Sequence, residues 1–167
     1  MKSITVNCNN IEISNNKKIC LIAGPCQLET EQHAMDMAGK IKEIASKFEI
    51  GFIYKTSFDK ANRTSLKGKR GAGLDSSLPV FDKIKSELKI PVLTDVHNVE
   101  QCSIVSKHVD VLQIPAFLCR QTDLLLSLIQ FSQLFSFHIK HQYHFFLTNN
   151  CAILEIMSAQ LLSLIHI

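Results

Sequence analysis

Gly51-Phe52-Ile53-Tyr54-Lys55-Thr56-Ser57 begins as a buried strand and ends polar, and that change decides the fold. From Tyr54 the chain continues Lys55-Thr56-Ser57-Phe58-Asp59-Lys60-Ala61-Asn62-Arg63-Thr64-Ser65, placing two lysines, an arginine and several hydroxyl and amide donors in one short segment. Such a cluster suits phosphate and carboxylate groups held side by side, because Arg forks onto oxyanions and Lys supplies point charge. Composition alone favours an ordinary solvated loop. Three further segments with the same layout favour the site.

Working outward, Ile19-Cys20-Leu21-Ile22-Ala23-Gly24 reads as a short strand stopped by Gly24-Pro25. Ala34, Met37, Ala38, Ile41, Ile44, Ala45 and Phe48 then fall on one helical face. After the strand over 51–57 comes a basic loop punctuated by Gly68, Gly71 and Gly73. Leu78, Phe81, Ile84 and Leu88 mark a second helix, with Pro79 expected in its first turn. Pro91 to Val96 is a third strand, Val99, Cys102 and Val105 a short helix, and Val109 to Ile114 a fourth strand. Ile4 to Val6 and Ile11 to Ile13 suit a small hairpin. Strands alternating with helices predict a parallel sheet.

The polar residues recur at the carboxyl ends of the strands. Cys26 follows the first, Lys55 and Ser57 end the second, Asp95 and His97 the third, and Gln113 and Arg120 lie at or beyond the fourth. A (β/α)8 barrel gathers those ends on one face and builds its site there. A flavodoxin-like sheet also works at strand ends, but Gly24-Pro25-Cys26 is not its glycine-rich phosphate loop.

Whole-chain totals exclude other classes. With 18 basic against 15 acidic residues the net charge is +3, too mild for nucleic acid, and no arginine-rich or aromatic-interleaved stripe is present. Cys8, Cys20, Cys26, Cys102, Cys119 and Cys151 show no C-x-x-C spacing and read as reduced, mostly buried thiols of a cytoplasmic protein. No apolar run is long enough to span a bilayer, and Ile19 to Ala23 is too short for a signal sequence.

Four ordered motifs carry a family resemblance: Ala23-Gly24-Pro25-Cys26, Lys55 through Ser65, Thr94-Asp95-Val96-His97, and Gln113-Ile114-Pro115-Ala116-Phe117-Leu118-Cys119-Arg120-Gln121-Thr122-Asp123. From about residue 4 to 125 the chain resembles the 3-deoxy-D-manno-octulosonate 8-phosphate synthases (2-dehydro-3-deoxyphosphooctonate aldolases). These condense phosphoenolpyruvate with arabinose 5-phosphate for lipopolysaccharide synthesis. Related synthases using erythrose 4-phosphate to make a 3-deoxy-heptulosonate 7-phosphate are the alternative. They typically carry Lys-Pro-Arg-Thr where this chain has Lys-Ala-Asn-Arg-Thr.

The resemblance implies a (β/α)8 TIM barrel, here reduced to roughly its first four βα units, and a homotetramer in the full-length family. It implies that Lys55 and Lys60 neutralise phosphoenolpyruvate, helped by Gln113 and the Pro115–Ala116 backbone, and that Ser57 also touches substrate. Asn62 would touch the sugar, Arg63 and Thr64 its phosphate, and Arg120 the sugar phosphate of a neighbouring subunit. Lys60 and Asn62 would be the catalytic residues. Cys26 marks the metal-dependent branch and implies Zn²⁺, Fe²⁺ or Mn²⁺, while Asp95 and His97 form site wall.

The chain changes character at Leu124. From there to Ile167 only Lys140 and Glu155 carry full charge, while five of the ten phenylalanines and four of the seven histidines crowd in. The region lacks a sustained period of 3.6 or 2, and a buried helix is its plain structural alternative. His138, His141 and His144 sit in no motif of the family. The expected division is therefore 1–125 as the amino-terminal half of a barrel and 126–167 as a tail of other origin, by frameshift or chimeric joining. Leu162-Ser163-Leu164-Ile165-His166-Ile167 resembles one frame of a transposase adapter used in sequencing libraries. A barrel takes about 250 residues. The expectation is thus an inactive fragment with its first and fourth strands as open edges, or a subunit that only binds full-length partners around Phe117 and Arg120.

Overall fold

The computed structural model describes residues 5–60, 70–131, 134–139, 143–148 and 153–157. The expected hairpin opens the chain: β1 (Thr5–Cys8) pairs antiparallel with β2 (Ile11–Ser14). Four strand–helix units follow. They are β3 (Cys20–Ala23) with α1 (Glu31–Lys47), β4 (Gly51–Lys55) with α2 (Leu74–Lys83), β5 (Val92–Asp95) with α3 (Val99–Val105), and β6 (Val111–Ile114) with α4 (Thr122–Phe131). The four strands lie in sequence order and pair in parallel.

Successive side chains of a strand point to opposite faces, so each strand serves two cores. Phe52, Tyr54, Val92, Leu112 and Ile114 belong to a cluster that takes Ala34, Phe81, Val105 and Leu124 from the four helices. Ile22, Ile53, Leu93 and Val111 belong to a second cluster, closed by Val6, Cys8 and Ile13 of the hairpin. All four helices therefore cover one face. A doubly wound sheet carries helices on both faces, whereas a barrel carries them only outside. The mixed α/β arrangement is consistent with a partial barrel, and the hairpin packs on the inner face where the strands begin. Gly51 admits the hairpin: a Cβ there would stand 2.6 Å from Ile11 Cγ2.

Several local expectations are corrected. Thr30 caps α1 by accepting from His33 N at 3.2 Å, and Ala34, Ala38 and Ala45 are buried as expected. Ile44 and Phe48, however, are 52% and 68% exposed: Ile44 sits about 100° round the helix from buried Ala45, and Phe48 caps the helix beyond its last residue. Pro79 lies inside α2 rather than in its first turn, since the helix already starts at Leu74 after Gly73. Pro79 and Asp75 both face solvent, so the Asp75 carbonyl that loses its helical donor can bond water. α2 continues into a π turn at Ile84–Leu88, ended by Lys89 in the left-handed region at φ 54°. β4 stops at Lys55 instead of Ser57, and β6 starts at Val111 instead of Val109.

The far side departs further. α4 crosses the expected boundary at residues 125 and 126 without a break. Leu124 and Leu128 are buried, and Ser127 Oγ donates to Val99 O of α3 at 3.2 Å. β7 (Leu134–Ile139) then pairs in parallel with β6, followed antiparallel by β8 (Tyr143–Thr148) and β9 (Ile153–Met157). The fourth strand is thus not an open edge, whereas among the described residues β3 pairs on one side only. Phe135, Phe137 and Ile139 do alternate with Ser136 and His138, but over one strand length only, too short to form a sustained period. The segment 162–167 lies outside the described residues.

Candidate functional site

The alternation that builds the inner apolar layer also builds the site above it. Two residues beyond Ile53, Leu93 and Val111 come Lys55, Asp95 and Gln113, still on the inner face. Ser57, His97 and Pro115 follow at the next such step. Together with Cys26, Asp59, Lys60, Ala116 and Phe117 they line a cleft of about 290 Å³. That volume suits a small metabolite rather than a polymer. Gly24 makes the approach possible: a Cβ there would stand 2.1 Å from the Lys55 carbonyl oxygen. Only glycine lets the end of β3 close on β4 and deliver Cys26 to the rim.

Within the cleft, Lys55 Nζ donates to Ser57 Oγ at 3.0 Å. His97 Nε2 meets Asp95 Oδ2 at 2.9 Å, and the His97 backbone N–H donates to Gln101 Oε1 at 2.7 Å. The Phe58 ring lies 5.6 Å from the imidazole, tilted by 53°. Asp95 is only 8% exposed. Burial pushes its carboxyl pKa up, but the His97 hydrogen bond, the Lys55 charge and the Ser57 hydroxyl together hold it below the usual aspartate value. The second carboxylate of the wall, Asp59, is forked by Arg70. Each acid in this cleft therefore has a donor partner, and Lys55 and Lys60 supply the positive charge that a small anion would meet there.

The residues expected to act together are partly united. Cys26, Lys55, Ser57, Lys60, Gln113, Pro115 and Ala116 all line the cleft. Asn62, Arg63 and Thr64 lie outside the described residues. Arg120 is exposed, in the turn between a short 3-10 helix (Ala116–Leu118) and α4, and does not line the cleft. Asp59 is a wall residue to which the motifs assign no role, Phe117 lines the wall although expected only in partner contacts, and Arg70 belongs to no motif. Its pairing with Asp59 spans eleven residues and leaves no spacing signal. A second hollow of about 330 Å³ lies beside the hairpin at the opposite end. There Lys17 is paired with Glu12 at 2.9 Å and Lys18 with Glu49 at 2.7 Å, leaving a weaker case for an anion.

Cys26 is exposed at the cleft. Among the described residues no group of three or more His, Cys, Asp or Glu side chains is placed to hold a metal ion. A metal at Cys26 would find one thiol where protein sites use three or four ligands. The described residues therefore do not fit a complete metal centre. Cys8 and Cys20 sit in the inner core, where burial foremost pushes each thiol up to about 12. They stay protonated and inert at neutral pH. No helix among the described residues is long and apolar enough to cross a membrane.

The family model described as the DAHP synthetase I family matches residues 3–158. Curated relatives named 2-dehydro-3-deoxyphosphooctonate aldolase include one from Mesorhizobium japonicum, 61% identical over 125 residues. That alignment takes in 75% of this chain and 44% of the relative. One from Chelativorans sp. is 65% identical over 114 residues, 68% of this chain and 41% of the relative. One from Brucella ovis is 59% identical over 123 residues, 74% and 44% respectively. The chain thus spans less than half the length of the curated relatives it matches.

Proposed function

Because the chain belongs to the DAHP synthetase I family, we propose that its cleft is the phosphoenolpyruvate half of an octulosonate 8-phosphate synthase site. The proposed reaction, a transferase-type condensation in the cytoplasm, joins phosphoenolpyruvate, D-arabinose 5-phosphate and water. It yields 3-deoxy-D-manno-octulosonate 8-phosphate and phosphate, and so feeds lipopolysaccharide synthesis. The observation that carries the reading is the convergence of Lys55, Ser57, Lys60, Gln113, Pro115 and Ala116 on one small cleft above an apolar floor.

In this reading Lys55 and Lys60 neutralise the phosphate and carboxylate of phosphoenolpyruvate, and the Gln113 amide fixes its orientation. Holding two anions face to face lowers the barrier through proximity and prearranged charge. C3 of the enol then attacks the sugar aldehyde, water adds at C2, and phosphate leaves. Lys60 and Asn62 act closest to the new bond, with Arg63 and Thr64 on the sugar phosphate. His97, fixed by Asp95 and Phe58, stands in the wall where the proton lost by the water can be handled. Cys26 offers one ligand to a divalent metal such as zinc, iron or manganese, and no step here depends on that metal. The exposed positions of Phe117 and Arg120 favour a second role in contacts between subunits, up to the homotetramer.

The test is calorimetric titration of phosphoenolpyruvate into the chain, beside a phosphate-release assay with arabinose 5-phosphate or erythrose 4-phosphate. The chain is expected to bind phosphoenolpyruvate and to release no phosphate by itself. Absence of binding up to about 1 mM, an affinity of roughly 4 kcal/mol, would overturn the reading. Turnover preferring erythrose 4-phosphate would move the assignment to the heptulosonate synthases.

A further inference from the structure

Behind the functional side chains, three segments are stitched together by backbone hydrogen bonds. Leu28 N donates to Ser57 O at 2.8 Å, Ala72 N to Leu28 O at 2.9 Å, Gly73 N to Phe58 O at 3.0 Å and Lys60 N to Arg70 O at 2.7 Å. These bonds join the loop that carries Cys26, the chain from Ser57 to Lys60, and the entrance to α2. Gly71 is needed at the junction, with φ +103° and a Cβ position only 2.8 Å from the Phe58 carbonyl oxygen. On the solvent side of the same junction Arg70 grips Asp59 with both ends of its guanidinium. Nε reaches Oδ1 at 2.8 Å and Nη2 reaches Oδ2 at 2.5 Å.

An isolated surface ion pair contributes little, but this one differs in geometry and place. It is bidentate, which fixes direction as well as distance. The Asp59 side chain is 19% exposed against 58% for Arg70, so the acid is the inner partner and belongs to the cleft wall. Asp59 directly precedes Lys60, and the Lys60 backbone is itself bonded to Arg70. The side-chain fork and the backbone bond therefore act on the same stretch of chain.

We propose that the Arg70–Asp59 fork is a clasp, a positioning pair that holds the chain at Phe58–Lys60 so that the Lys60 ammonium enters the cleft. The proposal rests on the phosphoenolpyruvate reading above. Its alternative is simple electrostatics, in which Asp59 opposes the anion and Arg70 merely cancels it. The two accounts give opposite signs for one substitution. Removing the Asp59 charge should strengthen anion binding if only charge matters, and weaken it if the clasp matters.

The experiment titrates phosphoenolpyruvate into the whole chain and into Asp59→Asn, Arg70→Gln and Arg70→Lys, with circular dichroism as the folding control. Asp59→Asn and Arg70→Gln are each expected to weaken binding about tenfold. Arg70→Lys should recover little of that loss, because an ammonium cannot fork. Tighter binding by Asp59→Asn, or full recovery by Arg70→Lys, would overturn the clasp while leaving the phosphoenolpyruvate site standing. Unchanged binding by folded Arg70→Gln would do the same. Failure of the unsubstituted chain to bind would remove both.

Discussion

Asp95 Oδ2 and His97 Nε2 stand 2.9 Å apart at alternate positions beyond the inner apolar layer, one at the last residue of β5 and one just past it. The pair is a consequence of strand alternation, and it leaves a nearly buried carboxylate charged beside Lys55. Since the folded-state pKa is depressed, the stabilisation is fully present above the unfolded value of about 3.9 and is lost as pH falls through the lower folded value. Thermal melts of the unsubstituted chain should therefore lose stability in acid, below about pH 4. Asp95→Asn should be less stable at pH 7 by about 1–3 kcal/mol, and its melts should fall less steeply in acid. Parallel acid profiles for the two proteins would show that Asp95 is not held in its charged form.

The two lysines of the cleft should separate by substitution. Lys60→Gln is expected to weaken phosphoenolpyruvate binding about tenfold or more with little change in melting temperature. Lys55→Met should weaken binding as well, and should also cost about 1–3 kcal/mol because Asp95 loses the cation beside it. Calorimetry paired with thermal melts reads both effects. Equal melting temperatures for the two variants would contradict the placement of Lys55 next to Asp95.

Much of this cleft is legible in the sequence because strand ends carry local signatures. Lys55, Asp95 and Gln113 each follow an apolar run by one inward step, so period-two reasoning alone puts them on one face. The Arg70 grip on Asp59 is not legible, since eleven residues separate the partners and no spacing rule encodes a pairing at that distance. Pro79 falls outside the expected first turn because the apolar pattern starts at Leu78, while the helix is started a turn earlier by Gly73. Ile44 and Phe48 are exposed because only Ala34, Ala38 and Ala45 of α1 are buried and Phe48 lies past the helix end, neither of which the apolar spacing reveals. The strands beyond Phe131 are hidden because alternation over a single strand length resembles an unpatterned apolar stretch.

Two glycines make opposite predictions. Gly24→Ala would drive a methyl to 2.1 Å from the Lys55 carbonyl oxygen, so the end of β4 must move and Lys55 with it. Phosphoenolpyruvate binding should be lost, with or without global unfolding. Gly39 lies inside α1, and a Cβ added there would meet nothing within 4 Å. Gly39→Ala should stabilise the chain by about 0.5–1 kcal/mol. Urea unfolding of both variants checks the pair, and tolerance of Gly24→Ala would mean that β3 and β4 do not close as described.

Along α4 charge vanishes from the sequence after Asp123, but packing does not. Leu128 is fully buried against the helix-facing core, and Ser127 Oγ donates to the Val99 carbonyl of α3. If residues beyond 125 belong to the fold, Leu128→Ala opens a cavity and should cost about 2–5 kcal/mol. Leu126, on the same helix and 60% exposed, is the internal control, and Leu126→Ala should stay within about 0.5 kcal/mol. A foreign tail loosely attached after Leu125 would show no such contrast, because neither leucine would then contribute to the core. Urea unfolding of the two variants therefore decides whether the change in composition at Leu124 is also a boundary of the folded unit. A difference of several kcal/mol places that boundary beyond α4, and equal midpoints place it before.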